Sequence, residues 1–314
     1  MEKFFLYVLI ITTLLNISGC GIQEERDSIE QPRYTIGAVL KSLDSEHWLA
    51  VRSGMLRAAQ EYHVNVIVLY ASNESAVAEQ KQMIWDILGN QIDVLAVASC
   101  DLTQSEDYLE YAKSKNIPVF MIDERVEGIP YIGSNNYRIG QMAGAYLAEQ
   151  MSGDGKIGII MGNRRQNAHL ERVAGLEDYL AQHTQIRIVD SRQADSDLRQ
   201  ASIQAEEMLA NFSDIDGIFV TSARMALGAI ESERVMKKAK IYVVGVDTQN
   251  DAILAMIQGR IAALVSQNGY EIGYLTIRSI VEGLDNQTLN RTAYIENNLI
   301  TKDNAAQYLA PSNQ

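Results

Sequence analysis

From Tyr34 onward, short runs of aliphatic and β-branched residues recur, each followed by an amphipathic stretch of helix length. The runs occupy 35–40, 64–69, 94–98, 119–122, 157–161, 186–189, 217–221, 241–246 and 262–266. Near-continuous apolar runs of this size suit strands covered on both faces, as in a parallel sheet. Stripes at helical spacing lie between them: Trp48, Val51, Met55, Ala59 and Tyr62 share one face, and Ile139, Met142, Ala143 and Tyr146 share another. Such alternation predicts a doubly wound α/β architecture. Gly153-Asp154-Gly155 interrupts the rhythm near the middle and marks a restart.

The chain opens on a different pattern. Lys3 precedes an apolar run over 4–15, and Ser18-Gly19 stands before Cys20. A membrane-spanning helix needs about 20 apolar residues, so this run is too short to cross. Its charge, length and small residues suit a cleaved signal instead. Small-small-Cys resembles the lipobox of bacterial lipoproteins, which implies removal of residues 1–19 and acylation of the Cys20 thiol. Residues 20–33 are polar, charged and without apolar period, and read as a tether between lipid and domain.

Less its first 19 residues, the 314-residue chain is too long for one core and suits two lobes. The only other cysteine is Cys100, so no disulfide framework is expected. A net charge of −13 argues against nucleic acid, whose phosphates need a basic face. The four histidines show no metal-ligand spacing. No phosphate-binding glycine loop or Gly-x-Ser-x-Gly elbow occurs, and Lys41-Ser42-Leu43-Asp44-Ser45 stands where a dinucleotide fingerprint would need glycines. Neither an enzyme, a metal nor a cofactor is expected.

Ligands of open α/β sheets bind beyond the carboxyl ends of the strands. Ser45, His47 and Trp48 follow the first run, and Asp123-Glu124 the fourth. Ser222, Asp247 and Gln267 end later runs, and Arg172 lies in the stretch after 157–161. Carboxylates, a guanidinium and aromatic faces suit a neutral polyhydroxyl ligand, whose hydroxyls donate and accept while its C–H face packs on a ring. Each residue also has an ordinary role available. Asp123 and Asp247 could cap helices, Trp48 could be core, and Arg172 could pair with Glu171 or Glu177 at the surface.

In order along the chain, these segments resemble the type I solute-binding proteins of the ribose and galactose class that serve sugar ABC transporters. The likeness rests on Tyr34-Thr35-Ile36-Gly37-Ala38-Val39-Leu40 with Trp48 and Gly54, on Ile122-Asp123, and on Gly133-Ser134-Asn135-Asn136-Tyr137 with Gly140. Glu171-Arg172 with Gly175, Met225-Ala226-Leu227-Gly228-Ala229, Val244-Gly245-Val246-Asp247 and Gln267 complete it. The resemblance implies two doubly wound parallel-sheet lobes joined by a three-strand hinge, 34–134 plus 268–295 and 135–267 plus 296–314, closing on one sugar. It puts Asp123, Arg172, Asp247 and Gln267 at hydrogen-bonding positions and His47 and Trp48 at an aromatic clamp. Glu124 stands where ribose binders have Arg, Ser45 and Ser222 where they have Asn, and Ser196 replaces an aromatic. Those departures point from ribose toward a ligand richer in donors: another pentose or hexose, a polyol or an amino sugar. A membrane-anchored monomer outside the cytoplasm is expected, with an ABC permease as partner. The alternative is a sugar sensor docked on a membrane histidine kinase.

Overall fold

The computed structural model describes residues 31–238 and 240–309; the signal, Cys20 and most of the tether lie outside them. The first half of the chain runs β1 (Thr35–Leu40), α1 (Glu46–Tyr62), β2 (Asn65–Tyr70), α2 (Val77–Leu88), β3 (Val94–Val97), α3 (Glu106–Ser114), β4 (Val119–Ile122) and β5 (Tyr131–Ser134). The second continues with α4 (Asn136–Gln150), β6 (Lys156–Met161), α5 (Asn167–His183), β7 (Arg187–Gln193), α6 (Leu198–Asn211), β8 (Gly217–Val220), α7 (Ala223–Ile230), α8 (Glu233–Lys237), β9 (Tyr242–Val246), α9 (Asn250–Ile257) and β10 (Ala263–Val265). Then come α10 (Gly269–Asp285), β11 (Thr292–Ile295) and β12 (Leu299–Ile300).

Two sheets result, ordered β11-β5-β4-β3-β1-β2 and β12-β10-β9-β8-β6-β7. Strand for strand the orders correspond, so the two-lobed α/β architecture is built twice on one plan. Pairing is parallel except at β12, which runs antiparallel to β10. The chain passes between the sheets three times: after Ser134, after Val265 and between Ile295 and Leu299.

Each sheet is covered on both faces, which is why its strands read as continuous apolar runs. Ile36, Ala38 and Leu40 of β1 pack with Trp48 and Met55 of α1 and Ile272 and Ile277 of α10. Val39 faces the other way, onto Ile84 and Ile87 of α2 and Tyr108 of α3. In the second sheet Ile157, Ile159 and Met161 meet Ile139 of α4 and Leu176 of α5, while Ile160 meets α6 and α7.

Helix pairs α1–α10 and α4–α5 occupy corresponding places and use the same device. A Cβ on Gly175 would lie 1.9 Å from the Tyr137 carbonyl oxygen, and one on Gly140 2.0 Å from that of Arg172. Gly54 and Gly273 repeat this across α1 and α10. At such distances any side chain would force the axes apart, so these glycines set how close the helices lie. Cys100 is buried beneath the first lobe's strand ends, and that burial pushes its thiol up to about 12, leaving it unreactive at neutral pH.

Candidate functional site

The carboxyl ends of both sheets face one another across a narrow cleft, the place where ligands of open α/β sheets bind. Ser45, His47, Trp48 and Asp123 line it from the first lobe; Arg172, Ser222, Asp247 and Gln267 line it from the second. Glu124 does not, and the expectation for it is corrected. Its carboxylate is fully buried, accepting from Lys41 Nζ at 2.7 Å and from the Asn167 N–H at 2.8 Å. The extra carboxylate is thus neutralised inside the protein.

Asp123 and Asp247 follow the fourth strand of their respective sheets, and both have left-handed backbones, φ 59° and 89°. Such a conformation costs about 1–3 kcal/mol in a non-glycine residue and gathers at functional sites. Neither Asp caps a helix. The caps are Ser45, whose Oγ accepts from the Trp48 N–H, and Ser222, whose Oγ accepts from that of Met225. Asp123 makes no side-chain hydrogen bond, and its Oδ1 is buried. Asp247 receives the Gln267 amide, with His47 Nδ1 3.9 Å away.

Arg172 is 3% exposed, so surface pairing is ruled out. Its Nε donates to Asn136 Oδ1 at 2.9 Å and Nη1 to the Thr221 carbonyl at 2.7 Å, which fixes the guanidinium and leaves Nη2 unused by the protein. Trp48 serves as core and cavity wall at once. Its indole N–H donates to Glu74 at 2.8 Å, and its ring meets His47 edge-on at 4.9 Å. His47 Nε2, Asp123 Oδ1, Arg224 Nε and Gln267 Oε1 are all buried without a protein partner. Buried polar atoms are ordinarily satisfied, so four orphans on one cavity mark where a polar ligand belongs.

Sequence reasoning missed a second set, which joins the lobes directly. Lys41 Nζ donates to Gln166 Oε1 at 3.0 Å, and Ser196 Oγ to Glu74 Oε2 at 2.8 Å. Glu46 accepts the Asn250 N–H at 2.9 Å, and Arg224 reaches the Asp44 carbonyl at 2.6 Å. Burial opposes ionisation of Glu74, but His169, Lys41 and the Trp48 N–H outweigh it and hold its carboxyl well below the usual range. Burial of His169 lowers its ring below the ordinary histidine value. Burial also disfavours the Lys41 charge, yet Glu124, Glu74 and Asp123 more than offset it and raise the ammonium. A charged Lys41 directly after a fully apolar strand was a legible signal. Glu74 and Ser196 sit beyond the corresponding strands β2 and β7, which shows only once the repeat is seen.

Among the described residues no group of His, Cys, Asp and Glu could hold a metal ion, and no helix is long and apolar enough to cross a membrane. Comparison with known proteins agrees with the fold. The ribose import binding protein RbsB of Bacillus subtilis is 24% identical over 293 residues, covering 91% of this chain and 94% of the relative. The D-ribose/D-allose-binding protein of Pseudomonas aeruginosa is 26% identical over 273 residues, 82% of this chain and 84% of the relative. Among solved structures, GanP, a glucose-galactose binding protein from Geobacillus stearothermophilus, superposes with a TM-score of 0.81 at 27% identity, covering 86% of this chain and 98% of its own. The family model for the periplasmic binding protein domain matches residues 36–288, and the chain belongs to that family.

Proposed function

We propose that the protein captures a monosaccharide or related polyol outside the cytoplasm, held at the cell membrane by lipid on Cys20, and delivers it to an ABC transporter permease. One observation carries the reading: both lobes contribute buried, unpartnered polar atoms to a single cleft. Hydroxyls donate and accept together, so a polyol can satisfy an aspartate, an arginine and an amide at once. The relatives' names, ribose import and ribose or allose binding among them, support a sugar as ligand. Binding by both lobes stabilises the closed form through contacts that neither lobe makes alone.

Calorimetry of the whole chain against D-ribose, D-allose, D-xylose, D-glucose, D-galactose and myo-inositol is the test. At least one should bind, reduce the radius of gyration, and at a hundredfold excess over Kd add about 2.7 kcal/mol of stability. Binding to none of them, or binding with no compaction of a demonstrably open apo form, would overturn the reading.

The anchor is tested separately. Cys20→Ser should move the protein from the membrane to the soluble fraction, because a thioether-linked lipid needs the sulfur. Retention on membranes after a high-salt wash would exclude Cys20 as the attachment point.

A further inference from the structure

We infer that the ligand carries a protonated amine beside its hydroxyls, as an amino sugar or amino polyol does. This narrows the sugar reading above and rests on it. Around the cavity, most charged groups are already committed to the protein. Lys41 is held between Glu124 and Gln166, and Arg224 by Asp44. Both oxygens of Glu74 accept hydrogen bonds, from Trp48 and Ser196, and Glu46 accepts from the second lobe's backbone. Two carboxylates and one guanidinium remain: Asp123, Asp247 and Arg172.

Those three do not balance. The Asp123 carboxylate accepts no hydrogen bond and makes no salt bridge, and Asp247 has only a neutral amide, with the His47 ring beyond hydrogen-bond reach at 3.9 Å. Arg172 brings one positive charge and one free nitrogen, Nη2. The uncommitted groups therefore sum to one negative charge. Their acceptors, the four carboxylate oxygens and Gln267 Oε1, also outnumber the unused donors Arg172 Nη2, Arg224 Nε and the His47 Nε2 position. A neutral polyol leaves this imbalance in place, since each hydroxyl brings lone pairs along with its proton and no charge. An ammonium supplies three donors, no acceptor and the missing positive charge. A closed cleft makes an uncompensated carboxylate costly, so the preference should be large.

Calorimetry of the whole chain on matched pairs tests this: D-glucosamine against D-glucose, D-galactosamine against D-galactose, and 1-amino-1-deoxy-D-sorbitol against D-sorbitol. In at least one pair the amine should bind about tenfold tighter or more, as expected for a charge-assisted hydrogen bond. Asp123→Asn or Asp247→Asn, each nearly isosteric, should bring that ratio close to one. A neutral member that binds as tightly as its amine in every pair overturns the inference and leaves the sugar reading standing. A preference that survives both substitutions also overturns it, because these carboxylates would not be its source. Binding of neither member in any pair overturns the inference, and the sugar reading falls with it only if D-ribose, D-allose, D-xylose and myo-inositol also fail to bind.

Discussion

Arg172→Ala should reduce ligand affinity by at least about a hundredfold. A hydrogen bond to a charged group contributes about 1.5–3 kcal/mol, and each 1.4 kcal/mol is a factor of ten. The upper end applies here because the guanidinium is immobilised before ligand arrives, by Asn136 and the Thr221 carbonyl. Little ordering entropy remains to be lost on binding. Arg172→Lys should rescue only part of the loss, since one ammonium cannot hold both anchors and still face the cavity. Both variants will also lose some stability, about 1–3 kcal/mol, from the acceptors left unpaired. Titration calorimetry on protein verified as folded by circular dichroism makes the check. Affinity equal to that of the parent would remove Arg172 from the site.

How much of this could be read without coordinates depended on whether the signal was local. Strands β1 and β4 match their apolar runs residue for residue, because both faces of each sheet are covered. The restart at Gly153 is real, with its φ of 76° in the turn before β6. Strands β5, β11 and β12 escaped notice. β5 ends in Gly-Ser, β11 alternates exposed and buried positions at a sheet edge, and β12 has two residues. In the cleft, the strand-end rule picked out Asp123, Asp247 and Gln267, since sheet topology alone dictates where those residues emerge. It misjudged Glu124, whose direction depends on Lys41, 83 positions earlier. Lys41–Gln166 and Glu74–Ser196 were illegible because each pairs residues from different lobes, and no periodicity encodes that.

Lys41→Met should open the cleft and weaken ligand binding about tenfold or more. Removing one member of a buried ion pair costs about 3–5 kcal/mol when the other charge stays dry. Here Gln166 and the Asn167 N–H reach the pair from the opposite lobe, so separating the lobes lets water reach Glu124 and relieves part of that cost. The variant should therefore show a larger radius of gyration by X-ray scattering in the presence of subsaturating ligand. Lys41→Met with Glu124→Leu should recover most of the thermal stability but not the closure, because Gln166 and Asn167 would still lack partners. A single variant that closes and binds as the parent does would mean the pair contributes nothing between the lobes.

The packing of α1 on α10 bears on how the protein is made. The inward face of α1, with Trp48, Val51 and Met55, is covered by Ile272 and Ile277, more than two hundred residues downstream. Strand β11, which completes the first sheet beside β5, is later still. Until nearly the whole chain has been synthesised, its first half has no cover for that helix and cannot close its core. Contacts of such long range form late and slowly. An emerging chain thus stays loosely structured until α10 and β11 arrive, and only then does the free energy of folding its first lobe become available.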